Sequence, residues 1–316
     1  MGAIGKANGK LILFGEHAAV YGHPAVGVSL PESTTVSLGD PGLPAWDVRS
    51  MAPGDREAVA AVLARIEAAL PALAARGRAA VRVESVVARK AGFGSSAALC
   101  GAFARAALAL AGDPGGAADP ARAWTLAHDA ERIFHGTPSG VDTGLALLGG
   151  TCVLRPRPPE LPGLQRVPPR GLQIVVGAVQ RDAGCAALVL GLAARVKSGD
   201  RAARGSIDAL GGIASQAAEM LSGGEPRIGE GLGILADRAM ELLAALGLST
   251  PELDRLVRSA RAAGALGAKL SGAGGGGAFF ALAPDPAAAA HIMLRLESEC
   301  RDAGIALVSP LRVLTA

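Results

Sequence analysis

From residue 56 the chain reads REAVAAVLARIEAALPALAAR, with Val59, Val62, Leu63, Ile66 and Leu70 at helical spacing and the arginines and glutamates opposite. This pattern predicts a helix with one buried face. The next stretch, AAVRVESVV, alternates as a strand does and feeds into a glycine turn, KAGFGSSAALCGAF, whose apolar continuation predicts a helix running to about Ala111. Upstream, apolar runs at 11–14 and 25–30 flank a polar turn and predict two strands joined by a loop. Asp119 and Pro120 signal the start of another helix, ended by Gly136 and Pro138, and a short helix or turn follows through PSGVDTGLALLGG. The segment RPRPPELPGLQRVPPRG is so rich in proline that it predicts a connection without regular structure, with a boundary near Arg170. Beyond it come a strand at LQIVVGAV, three helical segments between about 186 and 264, a glycine turn into a strand, a helix at 286–303 and a strand at 305–314. Helices and strands mix without a repeat, so the expectation is an α+β protein of two domains, 1–170 and 171–316.

Composition narrows the function classes. Half of the 316 residues are hydrophobic, enough for a substantial core, yet only 3% are aromatic. The core must therefore be filled by Leu, Val, Ile and Ala. A net charge of +3 with no dense Lys/Arg run argues against nucleic acid or an anionic membrane as partner, so any anion binding is local. Cys100, Cys152, Cys185 and Cys300 are widely spaced and show no metal-ligand pattern. Together with the lack of a leader-like N-terminus or an uninterrupted apolar span, they predict a cytoplasmic protein with reduced thiols.

Several stretches could carry chemistry. In the turn at 90–103, Gly92 and Gly94 allow close backbone approach to a ligand, and Ser95, Ser96 and Ala97 open a helix whose free amides suit a phosphate. The same serines could simply cap that helix. Lys10, Glu16 and His17 cluster near a strand end, with Gly15 and Gly22 framing the last two. His128, Glu131 and His135 share a helix face, which invites zinc, but hydrolase zinc motifs use closer histidines and no further ligand is evident. Glu131 reads better as a single carboxylate facing a pocket. Asp142 is either a helix cap or a general base. In SGAGGGG at 271–277 the glycines have apolar, strand-like flanks, which places Gly272, Ala273 and Gly274 inside folded structure rather than in a linker.

Four stretches, GKLILFGEHAAVYGHPAV, GFGSSAAL, ERIFHGTPSGVDTGLALLGG and KLSGAGGGGAFFAL, resemble in order the motifs of the GHMP kinases and span nearly the whole chain. Galactokinases carry Glu-His-Thr-Asp in the first motif and homoserine kinases lack the aspartate of the third, so the chain looks most like the members that phosphorylate mevalonate. The resemblance implies an N-terminal domain like ribosomal protein S5, a ferredoxin-like C-terminal domain and an active site between them. It implies ATP and Mg²⁺ as cofactors, with Gly92, Gly94, Ser95, Ser96 and Ala97 around the nucleotide phosphates and Ser96 and Glu131 on the metal. Asp142 would take the proton of the substrate hydroxyl beside Lys10; Glu16, His17, Gly272, Ala273 and Gly274 would line the substrate site. A homodimer is a further family expectation. Two departures stand out: Arg89 and Lys90 occupy the place of the family's proline and extra glycine, and Ala183, Gly184 and Cys185 that of an Arg-Ser-Thr run. The alternatives are a sister kinase acting on another small hydroxy acid, a phosphorylated intermediate or a sugar, and a non-catalytic regulator. The joint presence of Lys10, Glu131 and Asp142 argues against the last.

Overall fold

A computed structural model describes residues 1–136, 138–157, 160–181, 185–223 and 228–316, and only the backbone of 185 and 186. In chain order the elements are β1 (Ala3–Phe14), a 3-10 turn (Ala18–Tyr21), β2 (Ala25–Leu38), α1 (Pro53–Ala69), α2 (Pro71–Arg76), β3 (Val81–Ser85), α3 (Ser95–Leu110), α4 (Pro114–Ala118), α5 (Pro120–His135) and α6 (Val141–Leu148). There follow β4 (Thr151–Arg157), β5 (Glu160–Val167), β6 (Gln173–Val179), α7 (Cys185–Lys197), α8 (Arg201–Ser222), α9 (Ile228–Ala245), α10 (Pro251–Ala262), β7 (Gly267–Leu270), β8 (Gly277–Ala283), α11 (Pro286–Ala303) and β9 (Leu307–Thr315).

The chain forms two compact units, one of Met1–Lys10, Ser29–Val87 and Gly94–Gly149, the other of Leu11–Val28, Ala88–Phe93 and Gly150–Ala316. In the first unit, α3 packs with α5 and α6. Ala97, Ala98, Ala102, Ala104, Ala106 and Ala107 of α3 are all fully buried, so alanine fills this core as the composition requires. Asp119 caps α5 by accepting from the Ala121 amide, with Pro120 in the first turn. In the second unit, β6, β7, β8 and β9 form an antiparallel sheet in the order β7-β8-β6-β9. With helices after β6 and after β8, this half has the split β-α-β-β-α-β connectivity of ferredoxin-like folds.

Three expectations change. The strand expected at 11–14 begins at Ala3, because its buried early positions are Ala3, Gly5, Ala7 and Gly9, which carry little hydrophobic signal. Among the described residues, four helices rather than three separate β6 from β7, since Asp200 and Thr250 each cap a new start. The proline-rich stretch forms strands, β4 and β5, paired from Thr151↔Val167 to Arg157↔Glu160. Its prolines are tolerated because β5 is an edge strand and the register shifts between Arg155 and Arg157, around Pro156.

Candidate active site

The first constellation lies within the first unit. Helix α3 is capped by Gly94, which adopts φ 71° and ψ 37°, and no side chain caps it. Ser95 and Ser96 thus sit inside the first turn, and the capping explanation for them fails. Instead the Ser96 Oγ lies 3.2 Å from His135 Nε2 at the end of α5. Gly94 is also sterically required: a Cβ there would fall 2.6 Å from Lys10 Cγ, so the lysine stem lies directly over the turn.

Lys10 is buried and places Nζ 2.9 Å from Asp142 Oδ2, while the Asp142 side chain keeps 34% of its surface exposed. Asp142 does not cap α6 either. Gly140 does, again in a left-handed conformation, and Asp142 occupies the first turn. The α6 start is pinned to α5 by Trp124, whose Nε1 donates to the Gly140 carbonyl at 3.0 Å. Nearby, Glu131 is almost wholly buried, and neither of its carboxylate oxygens has a hydrogen-bond partner among the described residues. Burial above all, then the Asp142 charge, push its carboxyl up to about 8, with Lys10 opposing. A buried carboxylate left this way is costly unless a cation joins it. Among the described residues no three His, Cys, Asp or Glu side chains cluster as a metal site, so a zinc site of the His128, Glu131, His135 kind is not formed. The donors present suit a hard ion completed by ligand oxygens and water.

The second constellation lies within the second unit. His17, at the turn after β1, has φ 59° and ψ −41°, an uncommon backbone for a residue with a side chain. Its Nε2 donates to the Ala273 carbonyl at 3.2 Å. Burial chiefly, and then Lys269, lower the imidazole to about 4 against that hydrogen bond. The neutral ring has its proton on Nε2, because a carbonyl only accepts, and Nδ1 is the acceptor left over. Glu16 forms a buried ion pair with Lys269, whose Nζ also donates to the carbonyls of Leu270 at 2.7 Å and Leu13 at 3.2 Å. Ser271 adds a 2.7 Å bond to the Ile12 carbonyl. These bonds tie the end of β1 to the glycine turn after β7, which contains Gly272, Ala273 and Gly274.

Residues 57–150 match the family described as GHMP kinases N terminal domain, and 216–302 match GHMP kinases C terminal. The mevalonate kinase of Aeropyrum pernix is 36% identical over 295 residues, 87% of each chain. The chain belongs to the GHMP kinases. As such it is a phosphotransferase that uses ATP and an alcohol acceptor. The mevalonate kinase of Pyrococcus horikoshii is 33% identical to this kinase, covering 89% of this chain and 88% of its own. The crystal structure of L. major mevalonate kinase in complex with R-mevalonate superposes with a TM-score of 0.77 at 27% identity, covering 97% of this chain and 94% of that one.

Reading the sequence alone missed Lys269, Ser271 and Arg181, and it singled out His135 for zinc rather than for its contact with Ser96. The first two sit in strand-like context, where a buried lysine has no periodic signature. Arg181 follows β6, with its Nε buried and without a hydrogen-bond partner among the described residues. Its side chain passes so close that a Cβ at Gly92 would lie 3.2 Å from Nη2 and one at Gly277 2.7 Å from Nε. Of the stretch standing for Arg-Ser-Thr, Ala183 and Gly184 fall outside the described residues, and Cys185 opens α7. Among the described residues, no helix is long and apolar enough to cross a membrane.

Proposed function

We propose that this kinase phosphorylates the 5-hydroxyl of mevalonate with ATP, yielding 5-phosphomevalonate and ADP. The observation that carries the reading is the Lys10–Asp142 pair, a partly open carboxylate held against a buried ammonium. In the proposed step the substrate oxygen attacks the γ-phosphorus, the bond to ADP breaks, and Asp142 takes the hydroxyl proton. Lys10, paired with Asp142 at 2.9 Å, orients that carboxylate and favours the developing alkoxide. Gly92, Gly94, Ser95, Ser96 and Ala97 are assigned to the nucleotide phosphates, supported by the start of α3, where Gly94 is the cap and no side chain accepts from the first-turn amides.

Ser96 and Glu131 are the residues we assign to Mg²⁺, supported by the two orphaned oxygens of Glu131. When bound, the ion would neutralise phosphate charge and orient ATP. His135 holds the Ser96 hydroxyl in one rotamer. His17 is assigned to a substrate hydroxyl through Nδ1, and the turn Gly272–Ala273–Gly274 to the surrounding wall. Glu16 serves the same site through Lys269. Arg181, a cation with a spare donor, is assigned to anionic oxygens of the reactants.

The test is a panel of alcohols, including mevalonate, phosphomevalonate, homoserine and galactose, each with ATP and Mg²⁺. ADP release and phosphorylated product on mevalonate alone support the reading. Turnover on another alcohol and not on mevalonate assigns a sister activity, and ATP binding without turnover on any alcohol supports a regulator.

A further inference from the structure

The turn that leads into α3 holds a residue with a side chain in a left-handed backbone conformation. Lys90, Gly92 and Gly94 have φ of 57°, 91° and 71°. Lys90 stands where the family has its extra glycine, so a residue with a side chain occupies a glycine-like conformation. Such a conformation persists only where the surroundings hold it. Within the second unit, Ala91 and Phe93 are buried, and Gly92 lies so close to β8 that a Cβ would be 3.1 Å from the Ala278 nitrogen. The guanidinium carbon of Arg312 lies 4.6 Å from the centroid of the Phe93 ring.

Arg312 comes from β9, opposite Val176 of β6, and its Nη1 donates to Ser309 Oγ at 3.1 Å. It is thus fixed from the sheet side before it meets the ring. Phe93 is the one aromatic residue of KAGFGSS, and only an aromatic side chain there offers a face on which a planar cation can stack.

We infer that Arg312 is a positioning residue for the nucleotide: stacked on Phe93, it keeps the turn at 90–94 in the shape that receives ATP phosphates. The inference rests on the reading of that turn as the phosphate loop. Arg312 acts through Phe93 and does not itself touch a reactant.

The test measures ADP binding with Mg²⁺ by titration calorimetry, which needs no alcohol substrate, for wild type, Arg312→Met, Arg312→Lys, Phe93→Leu and the Arg312→Met/Phe93→Leu double variant. Arg312→Met and Phe93→Leu are each expected to weaken ADP by about three- to thirtyfold. The double variant is expected to be no weaker than the worse single one, because one contact is lost in both. Arg312→Lys should keep part of the affinity. Lys90→Gly placed on Arg312→Met should restore part of it, read only between variants whose melts show them fully folded at the titration temperature, so that a gain in bulk stability does not account for the rescue. KM for mevalonate should stay within about twofold while KM for ATP rises. Should Arg312→Met fail to fold, Phe93→Leu, an apolar exchange, carries the test with Lys90→Gly as its rescue. Unchanged ADP affinity in the folded variants, additive losses in the double variant, or a parallel rise in KM for mevalonate overturns the inference. Wild-type protein that binds no ADP overturns the phosphate-loop reading itself, which is a separate result from the variants matching a binding wild type.

Discussion

The ammonium of Lys10 and the carboxylate of Asp142 are 2.9 Å apart, the lysine buried and the aspartate open over a third of its surface. Because Gly140 caps α6, Asp142 has no capping duty to lose. Asp142→Asn keeps an oxygen facing Lys10 but cannot take a proton. We expect kcat to fall by ~10²–10⁴-fold, with ATP affinity and melting temperature little changed. Steady-state kinetics and a thermal melt of the same sample check this. Near-normal turnover with a lowered melting temperature would make Asp142 structural.

Removing the charge at Glu131 separates metal binding from folding. Its carboxyl is buried without hydrogen-bond partners among the described residues, so Glu131→Gln should leave the metal-free protein at least as stable as wild type. The same variant, and Ser96→Ala with it, should lose turnover most at limiting Mg²⁺ and recover in part as Mg²⁺ is raised. Melting in EDTA and a Mg²⁺ titration of kcat give the two readouts. Wild-type Mg²⁺ dependence in both variants removes them from the metal.

His17 makes stability depend on pH. Its folded pKa is about 4, below the ordinary 6.5, so between these values the unfolded chain binds more protons. The His17 contribution is complete above pH 6.5 and is lost as pH falls toward 4, with a slope approaching ~1.4 kcal/mol per pH unit. Subtracting a His17→Asn profile from wild type, by urea unfolding across this window, isolates the term from other histidines. A flat difference would falsify burial of the neutral ring.

Arg181 is assigned above to anionic oxygens of the reactants, and its variant tells which reactant carries them. Arg181→Gln keeps some length and removes the charge, so it should raise the KM of whichever reactant the guanidinium meets by about tenfold or more. A rise confined to mevalonate assigns Arg181 to the carboxylate, and one confined to ATP assigns it to phosphate. No change in either KM removes it from the site.

Local pattern was enough for much of this protein. The helix at 53–69, the cap at Asp119, the strands flanking SGAGGGG and the glycine turn into α3 follow from periodicity and turn chemistry, which act between residues a few positions apart. The ordered motifs marked Lys10, Ser96, Glu131 and Asp142 because each sits in a stretch with its own punctuation. What local pattern could not settle were questions whose answer lies far along the chain. Whether Ser95 and Asp142 cap helices depended on Gly94 and Gly140 taking left-handed conformations, which left both side chains free for other work. The pairing of Glu16 with Lys269 spans 253 residues, and no spacing rule reaches that far. The prolines at 156 and 162 could be strand residues only because tertiary pairing put them at a register shift and on a sheet edge. Sequence determined which residue types were available and where the chain turns; the tertiary structure decided which buried charges meet, because desolvation and ion pairing depend on distance in space.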